Sequence, residues 1–201
     1  MLSSKTVAVV IPAYNEVNQI VNVLKSIPEF VDKIIVVNDG SKDDTETVVL
    51  NFIKSDKKGL NIEKVQEEFP ESNFYNAERA YQRLLEIEDE ELPDADVMNE
   101  NPNDDRVILL SLKKNQGVGT AISRGYKWCK DHSIDCTAKL DGDGQMDSNE
   151  LLSICSPVVE DGIDYVKGNR LKHKSAWLVI PKIRFFGNSV LSILTKIASG
   201  Y

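Results

Sequence analysis

The chain is poor in the residues that build zinc sites and disulfide frameworks. Its 201 residues include three cysteines and two histidines. Cys129, Cys136 and Cys155 lack metal-ligand spacing, and an odd number of cysteines does not form a fully paired framework. We therefore expect buried thiols in a reducing compartment.

Long apolar runs are also missing. No stretch approaches the ~20 apolar residues that a membrane-spanning helix needs. The first residues contain one lysine and a short apolar run that soon reaches Pro12, which predicts a first strand rather than a signal peptide. With 41% hydrophobic and 28% charged residues, the composition predicts one globular domain over residues 1–201.

Charge is distributed unevenly along the chain. The net charge is −8, yet residues 67–105 alone hold fourteen Asp or Glu against two Arg, whereas the last 37 residues hold seven Lys or Arg and no acid. The pattern indicates a mildly basic body with an acidic insertion at 67–105 and a basic C-terminus. We expect no nucleic-acid partner.

The acidic insertion is expected to be solvated. A short amphipathic helix is predicted through Phe74, Ala77, Tyr81 and Leu84. Residues 94–105 are acidic and rich in Asn and Pro, so we expect a mobile loop there. The alternative is that the insertion forms a lid or a partner surface.

Apolar runs rich in β-branched residues alternate with helical patterns. The predicted strands cover residues 6–11, 33–37, 60–65, 107–112, 135–140 and 163–166. The predicted helices cover residues 16–27, 43–54, 118–131 and 149–160. This alternation predicts an α/β fold with a mostly parallel sheet flanked by helices. Ligands of such sheets bind beyond the carboxyl ends of the strands.

Polar motifs follow four of the predicted strands. In chain order they are Tyr14-Asn15-Glu16, Asn38-Asp39-Gly40-Ser41, Asn115-Gln116-Gly117 and Asp141-Gly142-Asp143. A parallel sheet would gather them into one site. Two simpler interpretations remain open: Asp39-Gly40 is also a common turn signal, and the glycines at 117 and 119 would let the next helix pack closely on the sheet. The glycines lack the full spacing of a dinucleotide-binding loop.

Asp141 and Asp143 form the sharpest chemical signal. Two carboxylates directly after a strand predict a site for Mg²⁺ or Mn²⁺, which commonly bind one or two carboxylates together with substrate phosphates. A calcium loop over residues 139–150 is the competing interpretation. It is disfavoured because Lys139 occupies a position that is normally Asp, and because a strand precedes the loop where a helix is required.

Five motifs in order resemble inverting family 2 glycosyltransferases: VVIPAYNE, VVNDGSKDDT, NQGVGTAISRGY, KLDGDGQMDSNEL and YVKGNR. The resemblance is strongest to dolichyl- or polyprenyl-phosphate sugar synthases. It implies the GT-A fold, which is Rossmann-like, a nucleotide-diphosphate-sugar donor, and Mg²⁺ or Mn²⁺ held by Asp141 and Asp143. It places Asp39 at the base or ribose, with uracil and guanine both open. The implied donor-binding residues are Pro12, Ala13, Tyr14, Glu16, Asp39, Asn115, Gly117, Asp141, Gly142, Asp143, Gln145 and Arg170.

The acceptor implied by the resemblance is a lipid phosphate. An ionised phosphate is already a nucleophile, so no catalytic base is assigned; a polysaccharide or other hydroxyl acceptor in cell-envelope synthesis is the alternative and would need a base. A sugar-nucleotide pyrophosphorylase is a weaker alternative, since residues 11–16 lack its glycine-rich basic loop. A binding module without catalysis would not need the paired carboxylates.

The C-terminal segment at 175–201 is predicted to be amphipathic. It combines apolar and basic residues, namely Trp177, Phe185, Phe186, Leu191, Ile193 and Leu194 with Lys182, Arg184 and Lys196. This composition favours a helix at a membrane interface with anionic head groups, and hence a cytoplasmic protein peripheral to the inner face of the membrane. A helix that covers the sheet is the alternative. Sequences of this family continue beyond the SGY position, so we expect a C-terminal truncation.

Overall fold

Four parallel strands and one antiparallel strand form a single sheet. The computed structural model describes residues 1–56, 58–65, 80, 83–84, 86–87, 90–168 and 182–199. The strands are β1 (Val7–Ala13), β2 (Lys33–Asn38), β3 (Ala95–Val97), β4 (Val107–Leu112) and β5 (Cys136–Lys139). Their order is β3-β4-β2-β1-β5, and only β3 is antiparallel to its neighbour. The predicted fold class, a mostly parallel α/β sheet flanked by helices, is confirmed.

Helices connect the parallel strands, and a further helix follows β5. They are α1 (Ile20–Ser26), α2 (Thr45–Ser55), α3 (Val118–Asp131) and α4 (Leu151–Glu160), with a short 3₁₀ turn at Ser148–Glu150 before α4. The predicted bounds of α3 and β4 agree with the structure. The first helix begins later than predicted, because residues 17–19 form a tighter turn in which the Gln19 N–H donates to the Glu16 carbonyl.

The central strands are buried on both faces. All seven residues of β1 and all six of β2 are buried. Alternate β1 side chains enter two cores: Val9 packs with residues of α1, α2 and α4, whereas Val10 packs with residues of α3. This explains why the strands read as continuous apolar runs in the sequence. The three cysteines are buried and free, as predicted.

The chain divides into two compact units, Met1–Asp164 and Tyr165–Tyr201. The second unit contains α5 (Lys182–Ser199), which confirms a helix in the C-terminal segment. The prediction of a single domain over 1–201 stays a prediction. The helix predicted through Phe74 and Tyr81 lies largely outside the described residues.

The prediction of a mobile loop at 94–105 is wrong for residues 95–97, whereas residues 100–104 do form bends and turns. Ala95–Val97 pairs with β4 as the edge strand β3. Next to it, the Asn99 side chain accepts the Leu109 N–H at 2.8 Å and donates to the Val107 carbonyl at 2.8 Å. The wholly buried Lys33 donates to the carbonyls of Asn103 and Asp105, each at 2.7 Å. These long-range bonds order an acidic segment whose composition alone indicates a loop.

Two short predicted strands are also absent from the described residues. Residues 60–65 form no ladder, because their backbone groups bond to other loops: the Ile62 N–H donates to the Asn103 carbonyl and the Val65 N–H to the Asp131 carbonyl. Residues 163–166 follow α4 without strand pairing, and the Ile163 N–H donates back to the Pro157 carbonyl. Both runs have strand-like composition, yet neither pairs with a strand among the residues that the structure describes.

Candidate functional site

A cleft of about 260 Å³ opens at the carboxyl ends of the parallel strands. The chain passes from β1 to β2 and β4 on one side and then returns to place β5 on the other side of β1. The strand order therefore reverses between β1 and β5, which is where ligands bind in open α/β sheets. The loops after β1 and β5, with Tyr14 and Asp141, face each other across this point.

Ten of the twelve residues nominated from the sequence line this cleft: Pro12, Ala13, Tyr14, Glu16, Asp39, Asn115, Gly117, Asp141, Gly142 and Asp143. Val118 also lines it. An apolar residue at the start of a helix carries no distinctive signal, so the sequence does not single out Val118. The other two nominated residues lie elsewhere: Gln145 is exposed and is not part of the lining, and Arg170 lies outside the described residues.

The loops after β1 and β2 are bonded to each other. The Asn15 N–H donates to the Ser41 hydroxyl at 3.0 Å, and the Asn15 side-chain oxygen accepts the Lys42 N–H at 2.8 Å. The Glu16 N–H donates to the Thr45 hydroxyl at 2.9 Å. Asn15 has a φ of 58°, a left-handed conformation that asparagine tolerates better than most residues. This network fixes Tyr14 and Glu16 relative to the Asp39 loop.

Asp39 holds a third loop in place. Its carboxylate is 3% exposed and accepts the Gln116 N–H at 2.7 Å and the Gly117 N–H at 2.9 Å. Bonds from N–H groups to a carboxylate are stronger than those to a neutral acceptor. Asp39 therefore joins the β2 loop to the β4 loop at the wall of the cleft, a role that its turn-forming sequence context did not reveal.

Two glycines make close approaches that a side chain would block. Gly40 has a φ of +63°, and a Cβ there would lie 2.6 Å from the backbone carbon of Lys114. A Cβ on Gly125 of α3 would lie 2.4 Å from Val10 Cγ1. A Cβ added at Gly117 or Gly119 would have nothing within 4 Å, so the prediction that these glycines let the helix pack closely on the sheet is wrong. That close contact occurs two turns later, at Gly125.

Carboxylates converge at the β1–β5 side of the cleft. The pKa of Glu16 is raised, first by desolvation and then by the negative charges of Asp143, Asp43 and Asp141. The cleft therefore has a negative field that a cation would relieve. Asp143 Oδ1 accepts the Gln145 N–H at 3.0 Å, and Asp141 Oδ1 contacts Lys139 Nζ.

This donor set fits an open magnesium or manganese site rather than a closed metal cage. Within the described part of the chain, no group of three or more His, Cys, Asp or Glu side chains is arranged to hold a metal ion. Mg²⁺ and Mn²⁺ prefer oxygen ligands, and Mg²⁺ usually keeps waters and substrate phosphates beside one or two carboxylates. Asp141 and Asp143 supply that number of carboxylates.

Comparison with known proteins shows extensive similarity to one family. The family model described as "Glycosyl transferase family 2" matches residues 8–80 and 92–198, which include every residue that lines the cleft. A UDP-N-acetylglucosamine–dolichyl-phosphate N-acetylglucosaminyltransferase of Methanococcus voltae is 28% identical over 201 residues, covering 100% of this chain and 66% of that protein.

Two uncharacterized proteins of Methanocaldococcus jannaschii are also similar. One is 23% identical over 165 residues, covering 82% of this chain and 62% of that protein. The other is 26% identical over 190 residues, covering 94% of this chain and 60% of that protein. The chain therefore spans between 60% and 66% of the length of these curated relatives.

Among solved structures, the glucosyl-3-phosphoglycerate synthase from Mycobacterium tuberculosis in complex with UDP is 40% identical over a short segment. That match covers 24% of this chain and 19% of the synthase, with a TM-score of 0.23, so it carries no argument. The family model, by contrast, covers most of the sequence and every residue of the cleft wall. The chain belongs to glycosyl transferase family 2.

Proposed function

We propose that this chain forms the donor site of an inverting, metal-dependent glycosyltransferase that moves a sugar from a nucleotide-diphosphate-sugar to a polyprenyl phosphate. The observation that carries the proposal is the cleft at the point where the strand order reverses, with Asp39 on one side and Asp141 and Asp143 on the other. Family membership supports glycosyl transfer over the pyrophosphorylase alternative.

The arrangement of the loops suggests how a donor would lie in the cleft. The nucleoside would bind between the β1 and β2 loops, near Tyr14 and Asp39, and the diphosphate would extend towards Asp141 and Asp143. The bonds from Asn15 to Ser41 and Lys42 hold the first two loops together before any ligand binds. Such preorganisation lowers the entropic cost of binding.

The chemistry requires positive charge at the leaving group. In glycosyl transfer, positive charge develops on the sugar and negative charge on the departing diphosphate. A divalent cation held by Asp141 and Asp143 would neutralise part of that negative charge. Arg170, a residue of the second unit that lies outside the described residues, stays a predicted donor-binding residue.

The acceptor is proposed to be a lipid-linked phosphate. The Methanococcus voltae relative is named for a dolichyl-phosphate acceptor, and it aligns with the whole of this chain. An ionised phosphate oxygen attacks without a catalytic base, whereas a sugar hydroxyl would need one. Transfer to a polysaccharide or other hydroxyl acceptor, with no transfer to polyprenyl phosphate, would replace the proposed acceptor while leaving the donor site intact.

We further propose that the protein lies at the inner membrane surface through α5. Among the described residues, no helix is both long and apolar enough to cross a bilayer. Val190, Leu194 and Ile197 repeat at helical spacing in α5, and Lys182 and Lys196 supply positive charge near its ends.

Flotation with anionic and with neutral liposomes tests this proposal. We expect the wild type to bind only the anionic vesicles, and we expect the Lys182→Glu/Lys196→Glu variant to lose that binding. A protein that remains unbound with both vesicles contradicts the proposal.

The donor site is tested by thermal stabilisation with a panel of nucleotide-sugars in the presence of Mn²⁺. We expect one nucleotide-sugar to raise the melting temperature, and Asp141→Asn and Asp143→Asn each to abolish the Mn²⁺-dependent part. Asp96→Asn, on the exposed edge strand β3, removes the same charge away from the cleft and is expected to respond like the wild type. Equal Mn²⁺-dependent stabilisation in all four proteins would exclude the carboxylate pair as the metal site.

A further inference from the structure

Lys139 forms an ion pair with one of the two proposed metal ligands. It is the last residue of β5, and its ammonium contacts Asp141 Oδ1. The two side chains are 29% and 28% exposed, so the pair is partly desolvated, and Asp141 lines the cleft. Asp143 has a different environment, because its Oδ1 accepts the backbone N–H of Gln145.

The pairing is selective within the cleft. In the part of the chain that the structure describes, the ion pair with Lys139 is the only salt bridge that involves a carboxylate of the cleft lining. Glu16 by contrast has a raised pKa, from desolvation and from the charges of Asp143, Asp43 and Asp141. One lysine thus offsets the charge of one particular carboxylate in an otherwise acidic pocket.

We propose that Lys139 is an affinity-setting residue that competes with divalent cations for Asp141, so that the metal binds well only together with a nucleotide diphosphate. This inference rests on the proposed metal role of Asp141 and Asp143. Without nucleotide, a divalent cation would have to displace the Lys139 ammonium from Asp141 Oδ1. The positive charge of Lys139 also cancels one unit of the negative charge that would attract the cation. A bound diphosphate would add negative charge that attracts the metal, and its oxygens would pair with the Lys139 ammonium that the metal displaces.

The proposal predicts a coupling between metal and nucleotide that depends on one side chain. Lys139→Met retains much of the aliphatic length and removes the charge, whereas Lys139→Arg keeps the charge. Without nucleotide, we expect Lys139→Met to bind Mn²⁺ about fivefold more tightly than the wild type, the scale of a partly exposed ion pair. Lys139→Arg is expected to bind Mn²⁺ like the wild type. Saturating UDP should raise the Mn²⁺ affinity of the wild type more than that of Lys139→Met.

The measurement is Mn²⁺ binding to the whole chain, followed by the electron paramagnetic resonance signal of free Mn²⁺ with and without UDP. Circular dichroism checks that each variant is folded, and Lys139→Gln serves as a second neutral variant should Lys139→Met not fold. Unchanged or weaker Mn²⁺ affinity in the folded neutral variant overturns the role of Lys139.

The Asp143→Asn variant separates this result from the proposed function. If the wild type binds Mn²⁺ with UDP and Asp143→Asn does not, the metal site stands whatever Lys139→Met shows. If neither the wild type nor the neutral variants bind Mn²⁺, with or without UDP, both the metal site and the role of Lys139 are overturned.

Discussion

Replacing Asp39 with Asn tests whether this residue organises the cleft. The change keeps the shape of the side chain but removes its charge and one of its two acceptor oxygens. The carboxylate accepts N–H groups from Gln116 at 2.7 Å and Gly117 at 2.9 Å, and it is 3% exposed. An amide can accept one of these bonds and must turn its NH₂ group towards the other N–H.

The expected cost follows from these two bonds. A hydrogen bond to a charged group contributes about 1.5–3 kcal/mol, and an unpaired buried donor costs about 1–3 kcal/mol. The Gly117 N–H also lies 3.1 Å from the Asn115 side-chain oxygen, which would retain part of the stabilisation. We therefore expect Asp39→Asn to lower the free energy of unfolding by about 2 kcal/mol. For a chain of this size that corresponds to a fall in melting temperature of about 4–8 °C.

Thermal unfolding followed by circular dichroism measures this change, with Asp44→Asn as the matched control. Asp44 lies on the same loop, is exposed, and its side chain makes no capping bond at the start of α2. A melting temperature of Asp39→Asn within 1 °C of the Asp44→Asn control would refute the role of Asp39 in holding the loop of Gln116 and Gly117. Nucleotide binding should weaken in Asp39→Asn alone, because the displaced β4 loop carries Asn115 and Gly117.

Three further predictions concern the glycine turn, the buried lysine and the buried thiols. Gly40→Ala should destabilise the protein strongly, because the new Cβ would lie 2.6 Å from the Lys114 backbone at a φ of +63°. Gly142→Ala should lower the melting temperature much less, because the nearest atom to its new Cβ lies 3.1 Å away. Equal melting temperatures of the two variants would contradict this prediction. Burial lowers the pKa of Lys33 from 10.5 to about 8. Between pH 8 and 10.5 the unfolded state therefore binds more protons than the folded state. The free energy of unfolding of the wild type, measured by urea titration relative to that of Lys33→Met, should rise with pH across this range. A constant difference would refute the assignment. Burial raises the pKa of Cys129 to about 12, so it should resist a thiol reagent at pH 8 until the protein unfolds; rapid labelling of the native protein would contradict its burial.

The sequence predicted the main strands because each is apolar enough to be buried on both faces. β1, β2 and β4 lie in the middle of the sheet, and their continuous apolar runs have few other interpretations. The run at 60–65 is a weaker strand candidate, in which Asn61, Glu63 and Lys64 interrupt the apolar residues; it is mostly exposed, and its backbone bonds go to loops. Whether residues 60–65 form a strand depends on which strands lie beside them, and local composition does not encode this.

In the acidic segment 94–105, by contrast, the composition fails to reveal a strand that the structure contains. Its composition indicates a solvated loop, yet Ala95–Val97 becomes an edge strand because β4 offers a free side to pair with. Lys33, more than 60 residues earlier, secures the following turn through the carbonyls of Asn103 and Asp105. Such long-range bonds between a buried ammonium and backbone oxygens leave no local pattern.

The sequence by itself determined the family, the central strands β1, β2 and β4, and most residues of the cleft, because the polar motifs directly follow apolar strands and parallel strands end at one edge. Tertiary structure alone decided how those residues are held. Asp39 clamps the loop of Gln116 and Gly117, Asn15 joins two loops, and Lys139 contacts Asp141. These contacts depend on distances between strand ends and on the direction of individual side chains. A linear pattern fixes which residues meet at the edge of the sheet, whereas packing of the loops fixes which atoms bond.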